Sequence, residues 1–138
     1  MSKEEKKNKK LARRLYQRLN AGDLSVLDDL LSDDVVEHDG FAASESKKAG
    51  VRHQFEWLQA AFPDLRLGVE DMIAEDEKVF VRARMTGTHH GEYLGLLATG
   101  RSIDVGVADY LRFENGLVVE HWSVTDNGAM SRQLTGTP

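Results

Sequence analysis

Residues 103–124, IDVGVADYLRFENGLVVEHWSV, contain two runs of alternating apolar residues joined by Asn115-Gly116. Alternation with a period of two indicates β-strands, and Asn-Gly between two such runs is the strongest short signal for a hairpin turn. In the first run a carboxylate, Asp109, lies on the apolar face. An ionised aspartate is seldom buried unpaired, because desolvation disfavours its charge and raises its pKa. The sequence therefore predicts a hairpin with an acidic group on its buried face.

The remainder of the chain predicts helices first and strands afterwards. Apolar residues recur at helical spacing in three segments before Pro63 and with a period of two in four segments after it. The helical segments are 3–20, 24–31 and 44–62, and the strands are 65–74, 78–88, 102–114 and 117–126. The short VVEHDG at 35–40 is too short for more than one edge strand or an extended entry into a loop.

This order predicts an α+β fold, in which a curved antiparallel sheet wraps around about three helices as a cone and encloses a cavity. The length of 138 residues fits one domain. We expect that domain to occupy 11–138, with 1–10 as a charged extension of the first helix. The lysine-rich start, KEEKKNKK, is interpreted as a solvated helix end.

The composition argues against several classes of function. The net charge of −5 disfavours nucleic acid and anionic membranes as partners. Because there is no cysteine, disulfides, thiolate metal sites and cysteine nucleophiles are excluded. No segment approaches the ~18 apolar residues of a membrane span, and the N-terminus lacks the apolar core of a signal peptide. We therefore expect a cytoplasmic protein.

Neither a metal nor a nucleotide cofactor is expected. The five histidines show no HxxxH or HxH spacing, and the adjacent pair would face opposite sides of an extended chain. The glycine-rich GLLATG has neither of the spacings that bind phosphates, and no GxSxG marks a nucleophile. The histidines are His38, His53, His89, His90 and His121.

The last strand offers partners for the buried carboxylate. One face carries Leu117, Val119, His121 and Ser123, the other carries Val118, Glu120, Trp122 and Val124, and the turn alone does not decide which face is inward. If the first face is inward, His121 and Ser123 share the cavity with Asp109. A buried Asp beside a His can supply an acid and a base near neutral pH, whereas the alternative is a structural ion pair.

Three segments carry a family resemblance that extends over nearly the whole chain from Leu11. They are LNAGDLSVLDDLLSDDVVEHDG, FPDLRLGVEDMIAEDEKVFVRARMTGTHHGEYLGLLATGRSI and YLRFENGLVVEHWSVTDNGAMSRQL. Together they resemble a SnoaL-like polyketide cyclase domain of the nuclear transport factor two-like superfamily. The resemblance implies an α+β cone with a deep cavity between helices and sheet, which agrees with the pattern of helices and strands.

The resemblance also implies roles for individual residues. Asp109 matches the position where ketosteroid isomerases place the protonated Asp of an oxyanion hole and where the cyclases place a pocket histidine. Asp39 falls near the general base of the isomerases. Their oxyanion tyrosine has no match, because Leu15 stands at its position and Tyr16 lies one residue away on another helical face.

The last strand departs from the cyclase pattern. The cyclases and the epoxide hydrolases carry an acid/base Asp where Ser123 stands. His121 is two residues earlier on the same face, where it could take over acid/base duty. Asp126, at the strand's exit, resembles an end-of-strand feature of the family more than a catalyst.

We therefore expect a cofactor-independent enzyme that acts on a small hydrophobic carbonyl compound. It would abstract a proton beside the carbonyl and then close a ring by aldol addition or isomerise the product. His121 would be the base, and Asp109, with its pKa raised by burial, would be its partner or the donor to the oxyanion. Candidate substrate-binding residues are His38, Asp39, Tyr16, Phe55, Trp57, His89 and Ser123.

Other outcomes remain open at this point. The serine at the expected aspartate position also fits a small-molecule-binding protein without catalysis, and the fold also hosts epoxide hydrolases. His38 could point to the cavity mouth or to solvent, and the aromatic residues of the third helix could be core or pocket lining. We expect a homodimer through the outer sheet face, where Tyr110, Trp122 and Val124 would be apolar.

Overall fold

The computed structural model describes residues 1–39 and 47–137. The α+β fold predicted from the sequence is confirmed, with three of the helices and all of the strands near their predicted positions. The described elements are α1 (Lys3–Asn20), α2 (Val26–Leu30), β1 (Leu31–Glu37), α3 (Lys47–Ala61), β2 (Arg66–Glu75), β3 (Lys78–Thr88), β4 (Ser102–Glu114), β5 (Leu117–Thr125) and α4 (Asn127–Thr135). Helix α4 was not predicted, and the predicted start of the third helix at Ser44 or Ser46 lies outside the described residues.

Helix α1 begins at the lysine-rich segment because the chain before it supplies a complete cap. The Ser2 hydroxyl accepts a hydrogen bond from the Glu5 amide at 3.0 Å, and the Glu5 carboxylate accepts one from the Ser2 amide at 2.7 Å. This reciprocal arrangement satisfies two amide groups that a helix start leaves without partners. The buried face of α1 then carries Ala12, Leu15, Tyr16 and Leu19 across the inner side of the sheet. No helix in the described part of the chain is both long and apolar enough to span a bilayer.

The five strands form one curved, open sheet in the order β1-β5-β4-β3-β2. Strands β2 to β5 are antiparallel neighbours, as predicted, whereas β1 runs parallel to β5 at the edge of the sheet. The sheet is therefore mixed rather than wholly antiparallel. A parallel neighbour requires a long connection instead of a hairpin, and here α3 and three strands separate β1 from β5.

One face of β4 points to the interior along the whole strand. The residues on that face are Ile103, Val105, Val107, Asp109, Leu111 and Phe113, and all are buried. The alternation predicted for this strand is therefore confirmed, and Asp109 is the charged member of an apolar row.

Strand β5 contains a bulge that changes which side chains are inward. Phe113 pairs with Val118 and Arg112 pairs with Glu120, so Val119 is an extra residue without a partner on β4. Such a bulge reverses the alternation of faces. Val118 and His121 consequently both line the interior, and the predicted grouping of Leu117 and Val119 with His121 is wrong.

The connection from β3 to β4 is held against the end of α3. The amides of His90 and Gly91 both donate to the carbonyl oxygen of Ala61, at 2.9 and 3.1 Å. A Cβ atom at Gly91 would collide with the carbonyl oxygen of Ala60, so only glycine allows this close approach. The connection thereby brings Tyr93 to the rim of the interior.

Helix α4 packs against β4 near the start of that strand, where the Gln133 side chain bonds to the backbone of Asp104. Its first turn is capped by Asp126, whose side chain accepts a hydrogen bond from the Ala129 amide at 3.0 Å. Met130 and Leu134 are buried and face the interior. The capping role explains the acidic residue at the exit of β5.

Candidate active site

A cavity of about 600 Å³ lies between the helices and the inner face of the sheet. Apolar side chains of α1, α3, β4 and α4 form most of its wall, and polar residues of α4 stand at one end. A separate polar cluster lies on the sheet side. It consists of Tyr16, Glu37, Asp39, Asp109, His121 and Ser123, all of which line the cavity.

Asp109 is at the centre of this cluster and is only 6% exposed. The Tyr16 hydroxyl, on α1, donates to its Oδ2 at 2.5 Å. The Nε2 atom of His121, on β5, is 3.0 Å from its Oδ1. The two carboxylate oxygens therefore accept hydrogen bonds from a helix and from a neighbouring strand. Because both oxygens have donors, the carboxylate can be buried.

His121 also contacts a second carboxylate, that of Glu37. Its Nδ1 atom lies 2.7 Å from Oε1 and 2.9 Å from Oε2 of Glu37. The two residues are direct neighbours in the parallel β1–β5 pair, and the Glu37 side chain is 7% exposed. Because a carboxylate only accepts, an imidazole with carboxylates at both nitrogens donates from both and carries two protons.

The pKa values agree with this hydrogen-bonding pattern. Burial lowers the pKa of His121, but hydrogen bonds and charge from Asp109 and Glu37 outweigh it and raise that pKa to about 10. Burial raises the pKa of Asp109, but hydrogen bonds and charge from His121, with hydrogen bonds from Tyr16 and Ser123, leave that pKa lowered. Near neutral pH the site therefore holds an imidazolium beside an ionised Asp109.

Tyr16 remains neutral in this site. Burial, followed by the negative charges of Asp109 and Glu37, raises the pKa of the Tyr16 hydroxyl well above its ordinary value. The prediction of a raised Asp109 pKa is wrong, because the sequence did not reveal that donors from α1 and β5 converge on its carboxylate. The role of oxyanion donor required a protonated Asp109, so this role is not supported. A neutral His121 acting as the resting base is likewise not supported.

Asp39 and Ser123 contact each other beside the central pair. The Ser123 amide donates to Asp39 Oδ2 at 2.8 Å, and Ser123 stands directly opposite Asp109 on the neighbouring strand. Tyr16, which the family comparison placed on another helical face, nevertheless reaches the site through its hydroxyl. Although Tyr16 is one residue away from the position of the isomerases' tyrosine, it still lines the cavity, as does Leu15.

Of the remaining candidates, two line the cavity and two do not. Phe55 and Trp57 on α3 are in the wall, and the Trp57 ring stacks on Tyr93 with centroids 4.6 Å apart. His38 lies on the outer side of the sheet, where its ring stacks on Trp122 and its Nε2 is 2.9 Å from Glu120 Oε2.

His89 is fully buried but is not part of the cavity wall. Its Nδ1 accepts a hydrogen bond from the Thr99 amide at 3.2 Å, which ties together the ends of the β3–β4 connection. Both His38 and His89 are thus placed away from the cavity, contrary to the sequence-based expectation. Over residues 1–39 and 47–137, no group of three or more His, Cys, Asp or Glu is arranged to hold a metal ion.

Glu37 is the residue of the cluster that sequence reasoning missed. A signal was available, because Val35 is apolar and Glu37 and Asp39 follow it at intervals of two along an extended segment. If Val35 faces the core, as it does, both acidic residues face the same side. The alternation was overlooked because VVEHDG is short and has only one apolar residue on that face.

The fold is that of a SnoaL-like protein. The sequence pattern of the SnoaL-like polyketide cyclase family matches residues 10–134, and the chain belongs to that family. No functionally curated protein is significantly similar to it in sequence.

Solved structures agree with this assignment. AclR, a proposed hydroxylase from Streptomyces galilaeus, is 32% identical, with a TM-score of 0.86 over 97% of this chain and 99% of AclR. IdmH, a proposed polyketide cyclase from Streptomyces antibioticus, is 31% identical, with a TM-score of 0.82 over 93% of this chain and 98% of IdmH. A proposed SnoaL-like polyketide cyclase from Jannaschia sp. CCS1 is 23% identical and shares the fold, with a TM-score of 0.87 over 100% of this chain and 98% of its own.

Replacing Tyr16 by Phe should destabilise the fold through Asp109. Tyr16→Phe leaves Oδ2 of a buried carboxylate without its donor, and hydrogen bonds to charged groups contribute about 1.5–3 kcal/mol. We expect the free energy of unfolding, measured in urea near neutral pH, to fall by about 2 kcal/mol. Tyr110→Phe, on the exposed outer face, is the matched control and should change it by less than about 0.5 kcal/mol. Equal effects of the two substitutions would contradict the assigned hydrogen bond.

Proposed function

We propose that the protein is a cofactor-independent enzyme that acts on a small hydrophobic carbonyl compound by acid/base chemistry in the cavity. The reaction class is aldol ring closure or isomerisation. The observation that carries the proposal is the imidazole of His121, held between two carboxylates on the wall of an apolar cavity. Family membership and the likeness to IdmH, a proposed polyketide cyclase, support the same class of chemistry.

The protonation states assign roles opposite to those expected from the sequence. The ionised Asp109 is the base, which removes a proton from the carbon beside the substrate carbonyl. The imidazolium of His121 is the acid: its Nε2 proton, which Asp109 accepts in the resting site, passes to the carbonyl oxygen as that oxygen gains charge. The enol then attacks a second carbonyl of the same molecule or is protonated at another carbon. As the first carbonyl re-forms, its enol O–H proton returns to His121, and the proton on Asp109 passes to the oxygen of the second carbonyl or to the other carbon. The pair therefore ends in its starting state.

The surroundings of the pair suit this chemistry. Apolar walls exclude water, and charges fixed in such a place interact more strongly with a developing oxyanion than they would in water. The volume of about 600 Å³ falls within the usual range for small-molecule sites. Phe55 and Trp57 provide flat apolar surfaces against which the hydrocarbon part of a substrate would pack.

The serine at position 123 raises the alternative of a protein that binds a ligand without converting it. The cross-strand pairing of Ser123 with Asp109 argues against that alternative. Although β5 has a serine at this position, the paired position on β4 has the carboxylate of Asp109, which its lowered pKa keeps ionised. A hydroxylase-like reaction is the second candidate for the same cavity, because AclR, a proposed hydroxylase, is 32% identical to this chain.

We also propose that two copies of the chain associate through the outer face of the sheet. Tyr110 is 40% exposed and Val124 is 71% exposed on this face, and Trp122 lies between them with its ring against Tyr110. The nearby arginines Arg82, Arg84 and Arg112 are each ion-paired with a carboxylate of the same chain. An apolar centre surrounded by charges that are already balanced suits a self-complementary interface.

The proposed reaction is tested by turnover of model carbonyl compounds. We expect wild type to cyclise or isomerise at least one member of a panel of aromatic diketones and β,γ-unsaturated ketones, and Asp109→Asn to lose about 10²–10⁴-fold in kcat/KM. Asp104→Asn is the matched control, because Asp104 lies on the outer face of the same strand, paired with Arg84. Ligand binding without Asp109-dependent turnover would indicate a binding protein, and Asp109-dependent opening of epoxides would indicate a hydrolase.

The pH dependence of kcat/KM distinguishes the two assignments of acid and base. The raised pKa of His121, about 10, means that the proton needed for donation is retained at neutral pH and lost as pH rises through about 10. The lowered pKa of Asp109 keeps the base ionised down to acidic pH. We therefore expect a plateau across neutral pH and a decline above about pH 9–10, with folding monitored by circular dichroism. A decline as pH falls through about 6.5 would instead indicate a neutral His121 as the base.

The proposed dimer is tested by light scattering at micromolar concentration. Wild type should have twice the mass of one chain, and Val124→Lys should have the mass of one chain, because it places a charge in the apolar centre of the face. Leu97→Lys is the control, since Leu97 is also exposed but lies in the β3–β4 connection. A wild-type monomer would reject the proposal.

A further inference from the structure

The tripeptide Val-Glu-His occurs twice in the chain, at 36–38 and at 119–121. The two copies lie side by side on parallel strands with an offset of one residue, so that Val36 is opposite Glu120 and Glu37 is opposite His121. Each glutamate therefore contacts the histidine of the other copy. Glu37 and His121 meet inside the cavity, and Glu120 and His38 meet on the outer face at 2.9 Å.

The inner pair has a geometry that the acid/base reaction does not by itself explain. The contact between His121 and Asp109 uses only Nε2, whereas both oxygens of Glu37 lie within 2.9 Å of Nδ1. The Glu37 side chain is as buried as that of Asp109, with 7% against 8% of its surface exposed. Burying a second carboxylate has a desolvation cost, so its position requires a compensating role.

We propose that Glu37 is the positioning residue of the acid/base centre: through Nδ1 it orients the His121 ring so that Nε2 faces Asp109 and keeps that ring doubly protonated. This inference rests on the proposed function, in which His121 is the acid. Glu37 acts on the substrate only through His121. It was assigned no role by the sequence analysis.

Two physical effects support the role. The torsion that turns an imidazole ring has broad minima, so a contact at one nitrogen alone does not determine which edge of the ring faces the substrate. A carboxylate at Nδ1 removes that freedom by holding the second nitrogen. Its negative charge also offsets the positive charge that His121 carries in a buried place, which Asp109 alone would offset less completely.

The other ionisable groups around His121 act less directly. Tyr16 on α1 donates to Asp109, and Asp39 after β1 accepts from the Ser123 amide. Within the described residues, the ring nitrogens of His121 donate their hydrogen bonds to Glu37 and Asp109. Removing the charge of Glu37 therefore changes the environment of His121 while leaving the Asp109 side of the cluster in place.

The test is an NMR titration of the His121 imidazole, which requires no substrate. We expect Glu37→Gln, which keeps the shape and removes the charge, to lower the titration midpoint by at least about one pH unit, a tenfold loss of proton affinity. Glu120→Gln is the matched control: it removes the same charge from the adjacent residue of β5 but on the outer face, and it should leave the midpoint within a few tenths of a unit. Glu37→Asp retains the charge at a greater distance and should give an intermediate midpoint.

A folded Glu37→Gln protein with the wild-type midpoint would overturn the inference, as would an equal fall in Glu120→Gln. If Glu37→Gln does not fold, Glu37→Asp replaces it: a midpoint below that of wild type supports the inference, and the wild-type midpoint overturns it. With a turnover substrate, the alkaline decline of kcat/KM in Glu37→Gln should move to lower pH by the same interval as the midpoint. A lowered midpoint in a protein that converts no carbonyl probe would establish the action of Glu37 on His121 and reject the proposed function.

Discussion

The buried carboxylate of Asp109 is the constraint on which the arrangement of the interior depends. It lies in a row of apolar side chains on β4, where an ionised group persists only if donors reach both oxygens. One donor comes from Tyr16 on α1 and the other from His121 on β5. The helix and the neighbouring strand must therefore be positioned to within a hydrogen-bond length of the same side chain. His121 in turn requires Glu37, which extends the requirement to β1.

These hydrogen-bonded polar side chains contribute little to the stability of the fold, but they fix the geometry of a reactive site. Two carboxylates and one imidazolium leave a net negative charge in a largely apolar interior, and apolar residues of similar volume are often as stable or more stable at such positions. Ionisable groups with perturbed pKa values in a cavity are typical of functional sites, because structure alone seldom requires them. The cost of desolvation is thus evidence for a role in chemistry.

Local patterns in the sequence predicted those features that depend on neighbouring residues. The Asn115-Gly116 hairpin, the apolar row of β4 and the buried face of α1 follow from turn chemistry and periodicity, and all agree with the structure. Helix α4 was missed because its sequence, NGAMSRQLT, has few apolar residues and is stabilised by packing against β4. The bulge at Val119, the parallel pairing of β1 and the lowered pKa of Asp109 depend on contacts between distant segments, and no single segment encodes them.

The register between β1 and β5 decides whether Glu37 or His38 faces the cavity beside His121. Both copies of Val-Glu-His offer the same side chains, yet His121 is inside and His38 is outside. A slip of one residue in β1 would turn Glu37 away from His121, because successive side chains face opposite sides of a sheet. The outer contacts oppose that slip: His38 stacks on Trp122 and bonds to Glu120, and its amide donates to the His121 carbonyl at 3.1 Å. The outer histidine therefore contributes to the site without lining it, by holding the register that brings Glu37 to His121.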